Sequence, residues 1–352
     1  MLVLDGSHGE GGGQIVRTAL ALAALTRTAV CIENIRAGRR KPGLRPQHLT
    51  AVQALAKITN ATLTGATIGS STLTFSPQSL TSGQYRFDVA QQTGSAGAVS
   101  LLAQTLLPVL AFAATPSSLV LLGGTHVPWS PPFHYLAWVF LPALGEMGFS
   151  ATASIQRWGF YPQGGGEIHL TLSPVTHLQG VTWTEPPAPT AFQGLSAAAN
   201  LPDQVIQRQS QSLRQHLSCP LPIRAEKPVS RSAGSFVFLW GPRAGFSALG
   251  ARGKPAEEVG QEVGQALQGF LASKASLDRH LADQVILYAA LAHGQTTFTT
   301  EALTLHLMTN IWVIRQFLDA TIKVSGDLHS PGAIQVQGIG YRVAHQKNTA
   351  RA

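Results

Sequence analysis

A histidine stands at the start of an apolar helical segment near the carboxyl end of the chain. Apolar residues at helical spacing predict its buried face: Leu303, Leu307, Ile311, Ile314 and Leu318. His306 lies beside this stripe in the first turn, where the positive end of the helix dipole disfavours protonation. Because neutral imidazole is a nucleophile, the segment predicts covalent catalysis by His306. A structural histidine at the edge of the core would give the same pattern.

A basic loop lies near the amino end, in residues 35–48. Five cationic side chains fall within ten residues of it: Arg36, Arg39, Arg40, Lys41 and Arg45. Arginine side chains suit bidentate phosphate binding, and Gln47 and His48 follow at the start of a helix. The loop therefore predicts a phosphate site, with a solvated basic turn as the alternative.

A glycine-rich segment, residues 5–14, enters the first predicted helix. It lacks the Gly-Lys-Ser/Thr ending of a P-loop and does not match the dinucleotide fingerprint. Glu10 stands between glycines whose amide groups would suit phosphate, so its carboxylate needs a positive partner. A divalent cation, Mg²⁺ or Mn²⁺, between Glu10 and a nucleotide phosphate would provide one. Glycine-rich turns into helices are common, so this pattern alone leaves a purely structural turn open.

These loops belong to a pattern of elements that occurs three times: an apolar helix, a strand, a loop and a second helix. The predicted copies are 13–25, 29–35, 36–46 and 47–59; 97–114, 119–122, 123–132 and 133–147; and 277–292, 296–300, a short turn and 304–319. Each loop leads into a helix N-terminus, where free amide groups and the helix dipole favour anions. A pseudo-threefold arrangement would therefore gather the three loops at one cleft.

The spacing of the repeats predicts an insertion in the third copy. The second helices begin near residues 47, 133 and 304, so the second interval is about twice the first. The Pro-rich segment 185–189 marks the expected entry and 272–276 the exit. Within the insertion, one apolar helix face follows Pro255: Val259, Val263, Leu267, Phe270 and Leu271.

We therefore expect an α/β (α+β) protein with the following division. Residues 1–184 and 277–340 form a catalytic domain of three repeated α/β units, 185–276 an inserted α/β domain, and 341–352 a C-terminal tail.

The composition is that of a globular protein with an anionic partner. The 352 residues are 44% hydrophobic and 12% charged, with a net charge of +8. This surplus favours nucleic acid, nucleotide or membrane lipid as partner without ranking them. Residues 100–122 are the most apolar region, but Gln104, Pro108 and Pro116 interrupt it, which favours a buried helix and strand over a membrane span.

The cysteine content and the amino terminus bear on the compartment. Cys31 and Cys219 are far apart and supply neither a disulfide framework nor a zinc site, which favours a reducing compartment. The first residues lack the plan of a signal peptide. We expect a cytoplasmic protein with no membrane partner.

Several segments, taken in chain order, resemble RNA 3′-terminal phosphate cyclases. They are residues 5–14, 35–39, 41–44, 47–49, 104–108, 123–125, 159–166, 281–284 and 306–310. Each segment is common by itself, but the ordered set is specific and spans nearly the whole chain outside the insertion.

The resemblance implies both a fold and a reaction. The fold is three repeats resembling the C-terminal domain of translation initiation factor 3, with a smaller inserted α/β domain. In the reaction a histidine attacks the α-phosphate of ATP, giving an adenylated histidine and pyrophosphate. AMP then passes to an RNA 3′-phosphate, and the neighbouring 2′-hydroxyl displaces AMP to leave a 2′,3′-cyclic phosphate.

The resemblance also implies roles by position. His306 corresponds to the adenylated nucleophile and Glu10 to the metal-associated carboxylate. The implied ATP pocket is Gln104, Pro131, Tyr135, His280, Leu281, Ala282, Asp283 and Gln284, with Tyr135 at the position of an aromatic that stacks on adenine. The implied pocket for the RNA terminal phosphate is Arg17, Arg36, Arg39, Gln47 and His48.

Some residues depart from the family pattern, and two other functions stay open. His126, Trp129, His280 and the pair Leu303-Thr304 are unusual at their positions, which bears on nucleotide affinity and metal preference. One alternative is a non-catalytic RNA-binding ribosome-assembly factor of the same fold; the other is a carboxyvinyl transferase. The presence of His306 together with Glu10, Arg36 and Arg39 favours the cyclase.

Overall fold

The structure is a computed structural model that describes residues 1–89 and 96–342. The predicted tail, residues 341–352, lies outside the described residues from 343 onward. The first part of the chain forms β1 Leu2–Asp5, α1 Gly13–Thr26, β2 Val30–Glu33, α2 Pro46–Thr59, β3 Thr62–Thr64 and β4 Leu73–Ser76.

The second part repeats this order. It forms β5 Gln84–Asp88, α3 Val99–Leu110, β6 Ser117–Gly123, α4 Phe133–Tyr135, a π-helical segment Leu136–Phe140, α5 Leu141–Glu146, β7 Ala151–Arg157 and β8 Gly166–Leu172. The segment from α4 to α5 is one helix by position, widened by the π-turn.

The third part is interrupted. After β9 Thr182–Trp183 come a short 3₁₀ turn Pro189–Ala191, β10 Gln193–Ala199, α6 Gln204–Gln215, β11 Ile223–Glu226, β12 Gly234–Gly241, β13 Ala244–Leu249 and α7 Ala256–Ser273. The order of the first two parts then resumes with α8 Arg279–Leu291, β14 Gln295–Thr300, α9 Leu305–Phe317, β15 Thr321–Ser325 and β16 Gly332–Gln337.

Three of the four-stranded sheets share one topology. Their orders are β1-β2-β4-β3, β5-β6-β8-β7 and β9-β14-β16-β15. In each order, the first two strands are parallel, the third pairs antiparallel with the second, and the fourth pairs antiparallel with the third. The mixed α+β class is therefore confirmed. The likeness to translation initiation factor 3 and the domain boundaries stay proposals.

The interrupting segment forms a sheet of its own, β11-β10-β12-β13. Strand β12 is apolar on both faces, as a strand covered on both sides must be. Val237 and Leu239 join a cluster with α6 and α7, whereas Phe236 and Phe238 join the main core. The inserted sheet is therefore sandwiched between its own helices and the second repeated unit.

The main core lies where helices of the three units meet. Helix α1 contacts α2, α3 and α9, and α9 also contacts α8. Apolar residues of α1 such as Ile15, Leu20 and Leu22 are fully buried, which explains why this helix is apolar on nearly all sides. Polar residues at the amino ends of these helices consequently converge.

The predicted helices are confirmed, with ends shifted by a few residues. The apolar region 100–122 forms most of α3 and β6, as predicted. Within the described part of the chain, no helix combines the length and apolarity needed to cross a membrane.

Candidate active site

The glycine-rich turn holds Glu10 against helix α9. Gly9 has a positive φ of 58°, and a Cβ at that position would lie 2.5 Å from Oγ1 of Thr309. The amide of Glu10 donates to the same Oγ1 at 3.1 Å. Glycine is required here both by its backbone conformation and by this close approach.

His306 is presented on the surface beside this turn. Thr304 caps α9 by accepting a hydrogen bond from the amide of Leu307, which leaves His306 in the first turn as predicted. Its side chain is 49% exposed, and Nδ1 lies 3.9 Å from Oε2 of Glu10. Partial burial lowers the pKa of His306, and the positive charges of Arg17, His280 and Arg39 lower it further. The imidazole is therefore neutral at pH 7 and accessible.

The basic loop reaches the same place through Arg39. Its guanidinium forms an ion pair with the Glu10 carboxylate and donates to the Glu10 carbonyl at 3.0 Å. Arg36 instead closes the loop, because its Nη1 donates to the carbonyls of Lys41 and Gly43. The two arginines thus have different contacts: Arg39 pairs with Glu10, whereas Arg36 stabilises the conformation of the basic loop.

His48 is buried at the start of α2. Its Nδ1 accepts from the amide of Arg45 at 3.1 Å, so it caps the helix. Burial lowers its pKa to about 3, with smaller effects from Arg17, Arg36 and Arg45. Its Nε2 faces the N-terminus of α1, where a Cβ at Gly13 would overlap it. Gln47 is half-buried beside it.

A cleft between α1, α3, α8 and α9 brings together residues predicted for both pockets: Arg17, Gln104, Asp283 and Gln284. Gln104 donates to Gln284 at 2.6 Å. Burial raises the pKa of Asp283 to about 8 despite the opposing effect of Arg17, and burial lowers the pKa of Arg17 to about 10. Arg17 also lowers the pKa values of His306 and His48, so its charge acts on all three titratable groups: Asp283, His306 and His48.

Several predicted ATP residues lie elsewhere. Tyr135 is buried, and its hydroxyl donates to both carboxylate oxygens of Asp278 at 2.9 Å, so in this conformation its ring presents no face to a base. Leu281 and Ala282 are in the core, and their amides donate to Asp278. Leu281 and Ala282 match the family motif in sequence, but their positions on helix α8 face the core.

Two predicted ATP residues remain at the surface of the site. Pro131 is half-buried in the second loop, with its carbonyl accepting from Ser100 at 2.6 Å. His280 is exposed in the first turn of α8, close enough to His306 to lower its pKa.

Sequence reasoning assigned no role to other polar residues of the cleft. Gln14 accepts from Arg17 at 2.6 Å. Thr18 donates to Asn310, whose amide donates to the carbonyl of Asp283. Gln14, Arg17 and Thr18 share one face of α1 at spacings of three and four, a signal that the sequence did contain.

A metal ion at Glu10 would need further ligands from a bound substrate. Within residues 1–89 and 96–342, no three His, Cys, Asp or Glu side chains gather to hold an ion. One carboxylate combined with phosphate oxygens is nevertheless a common arrangement for Mg²⁺. The donor set therefore fits a cation shared with a nucleotide, rather than a site built from protein side chains.

The family model described as RNA 3′-terminal phosphate cyclase matches residues 8–324. The chain belongs to this family. The relative of that name from Pyrobaculum neutrophilum is 43% identical, with 96% of this chain and 99% of that protein covered. The relative of that name from Methylococcus capsulatus is 45% identical, covering 98% and 99%. The cyclase family match thus includes the inserted sheet as well as the three repeated units.

One solved structure shows a more distant likeness. It is the enolpyruvyl transferase NikO from Streptomyces tendae, with 14% identity and a TM-score of 0.40. The match covers 94% of this chain but 47% of that chain. A likeness at this level carries no argument about function, and the cyclase family rests on the sequence matches.

Proposed function

We propose that this chain converts an RNA 3′-terminal phosphate to a 2′,3′-cyclic phosphodiester at the expense of ATP. His306 attacks the α-phosphate of ATP, so that a nitrogen–phosphorus bond forms as the bond to pyrophosphate breaks. AMP then passes to an oxygen of the RNA 3′-phosphate, restoring the imidazole. The 2′-hydroxyl attacks this activated phosphate, loses its proton and releases AMP.

One observation carries the proposal: the exposed imidazole of His306, neutral at pH 7, lies 3.9 Å from the Glu10 carboxylate and within range of the charge of Arg17, which lines the cleft. A nucleophile must be both deprotonated and reachable, and His306 satisfies both conditions. Arg17 and Arg39 supply positive charge on either side, which suits a reaction in which every ligand is a phosphate. A ribosome-assembly factor would gain nothing from this arrangement.

The polar residues divide between the two substrates. Gln104, Asp283 and Gln284 line the cleft and are proposed to hold ATP. Arg17 at the edge between the two groups, with Arg39, Gln47 and His48 and with Arg36 shaping their loop, is proposed to hold the RNA 3′-phosphate. Glu10 would hold a divalent cation together with nucleotide phosphates, and Arg39, no longer paired with Glu10, would then bind the RNA phosphate. When bound, such a cation supplies charge neutralisation between phosphates.

Incubation with ATP labelled at the α-phosphate tests the proposal. The wild-type chain should retain label in an acid-labile, base-stable form, as expected for phosphorus bonded to imidazole nitrogen. His306→Ala should retain none, whereas His293→Ala, an exposed histidine beyond the carboxyl end of α8, should label normally. Label on His306→Ala would overturn the nucleophile. A wild-type chain that never takes up AMP would favour the RNA-binding protein.

A second experiment tests the cyclisation step. An oligonucleotide that ends in a 2′-deoxy-3′-phosphate should accept AMP and accumulate as the adenylate, because the attacking hydroxyl is missing. The matched ribose substrate should proceed to the cyclic phosphate. Neither the terminal phosphate nor the 2′-hydroxyl encodes a base, so oligonucleotides of different sequence should compete within about tenfold of one another.

A further inference from the structure

Trp129 lies in the loop between β6 and α4 without a structural reason for its size. Its side chain is 98% exposed, and its backbone has a positive φ of 59°. A bulky residue in this left-handed conformation is an outlier that costs conformational energy. Burial does not offset that cost, since the indole packs against almost nothing.

A second exposed aromatic leaves the same point of the fold. His126 and Phe160 form an isolated parallel β-bridge, and Trp129 and Tyr161 follow it by three residues and one residue. So short a span keeps the Cα atoms of both residues within about 11 Å of the bridge. Tyr161 is 67% exposed. Several large hydrophobic residues are exposed in the described part of the chain, and Trp129 and Tyr161 are the aromatic ones among them.

This pair adjoins the proposed site for the RNA phosphate. A Cβ at Gly97 would lie 3.5 Å from Cβ of Gln47, and Gly97 accepts a hydrogen bond from the amide of Gly124 at 2.8 Å. Gly124 begins the loop that carries Trp129. The loop that carries Trp129 thus begins beside Gln47, one of the residues proposed to hold the terminal phosphate.

Positive charge flanks the pair on the side of the inserted sheet. Arg231 is exposed and lies against the loop of Tyr161, since a Cβ at Gly165 would be 2.9 Å from its Cδ. Arg157 also donates to the carbonyl of Gly165, with its guanidinium 3.7 Å from the carboxylate of Glu167. Exposed aromatics interleaved with arginine are typical of surfaces that bind single-stranded nucleic acid through base stacking and backbone contacts.

We infer that Trp129 and Tyr161 form a stacking platform for the unpaired nucleotides that precede the 3′-phosphate of the RNA. This inference rests on the proposed function for the nature of the RNA end. Stacking is tolerant of sequence, because every base has an aromatic face, so the platform would add affinity without adding base preference. It would also make the enzyme favour a single-stranded end over a paired one.

Substrate length provides the test. Binding and single-turnover cyclisation of a 3′-phosphorylated single-stranded hexanucleotide are measured, the binding by fluorescence anisotropy. Cyclisation is also measured with a nucleoside 3′-phosphate, which has no preceding base. Trp129→Ala should weaken hexanucleotide binding at least about tenfold while changing the mononucleotide less than twofold, and Trp129→Phe should restore most of the loss. Ile339→Ala serves as the matched control. Ile339 is an exposed apolar residue that follows β16, and its amide donates to the carbonyl of Ala290 near the carboxyl end of α8.

The outcomes separate this inference from the proposed function. If Trp129→Ala lowered hexanucleotide and mononucleotide turnover equally, or changed neither, the platform would be wrong although cyclisation stands. If the wild-type chain bound the hexanucleotide through Trp129 but never cyclised it, the platform would survive and the proposed function would fail. If Trp129→Ala altered only the self-association of the protein, measured by sedimentation, the surface would be a contact with a second copy of the chain. That result would overturn the inference.

Discussion

The hydroxyl of Tyr135 donates to both carboxylate oxygens of Asp278, at 2.9 Å each. The same carboxylate accepts from the amides of His280 and Leu281 and from the amide of Gly245. One buried acid therefore joins the second unit, the inserted sheet and the start of α8. This arrangement gives Tyr135 a structural role at a position where the family resemblance implies stacking on adenine.

Tyr135→Phe separates the two roles, because it keeps the ring and removes only the hydroxyl. A buried carboxylate that loses one donor should lower the free energy of unfolding by about 1–3 kcal/mol. Denaturant unfolding measures this loss, and the KM for ATP in self-adenylation should stay unchanged. The exposed Tyr161→Phe is the control for stability. Unchanged stability in Tyr135→Phe would contradict the structural role.

Gly9→Ala should displace Glu10. The substitution meets a strained positive φ and places a methyl group 2.5 Å from Oγ1 of Thr309, so the turn must move away from α9. We expect self-adenylation to fall at least about tenfold, an effect of roughly 1.4 kcal/mol or more on the barrier. Gly69→Ala has a similar positive φ but nothing within 4 Å, so it isolates backbone strain from the clash. Equal activity of the two variants would refute the packing argument.

The protonation of His306 should not limit self-adenylation above neutrality. The pKa of His306 is lowered below its usual 6.5, so the reactive neutral form predominates at pH 7 and is lost only as pH falls through that lowered value. Arg39→Ala removes one of the charges that lower this pKa and should move the acid limb to higher pH. Pre-steady-state label uptake between pH 5 and 9 measures both effects. An acid limb above pH 7 that persists in Asp283→Asn would contradict the assignment, since burial raises the pKa of Asp283 itself to about 8.

Arg39→Ala should also impair the RNA step more than the ATP step. Loss of one charge-assisted hydrogen bond to the terminal phosphate should lower kcat/KM for the 3′-phosphorylated RNA by roughly 10- to 150-fold. Self-adenylation at pH 8 should change much less. Arg40→Ala, an exposed neighbour in the same loop, controls for overall charge. Equal loss of both steps would move Arg39 to the ATP side.

Mild acid should destabilise the fold through buried histidines. Burial lowers the pKa values of His48 and His134 to about 3, whereas the unfolded side chains titrate near 6.5. Between these values the unfolded state binds more protons at these two histidines, so they lower the free energy of unfolding as pH decreases below 6.5. Asp283, whose pKa is raised to about 8 in the folded state, contributes in the opposite direction over the same range. At pH 5 each group should cost roughly 2 kcal/mol relative to pH 7.5. Urea unfolding of the wild type and of His48→Gln at the two pH values isolates the contribution of His48, because Asp283 titrates in both proteins, and the exposed His293→Gln should leave the difference unchanged.

The sequence determined the repeated elements and the reactive groups. Periodic apolar residues predicted α1, α2, α3, α8 and α9 because helix formation follows local pattern. The motifs around Glu10, Arg39 and His306 predicted residues that do lie together. Capping by Thr304 placed His306 in a first turn, which is also a local property.

Only the tertiary structure decided which of the remaining candidates can reach a ligand. Leu281 and Ala282 share a motif with Asp283 and Gln284, yet rotation about the helix turns the first pair into the core and the second toward the cleft. Tyr135 is engaged by Asp278, which is distant in sequence. The lowered pKa of His306 reflects burial, the charges of Arg17 and Arg39 from the first unit, and that of His280 from its own unit. Burial and long-range contacts set these properties, and they arise only when the three units pack together.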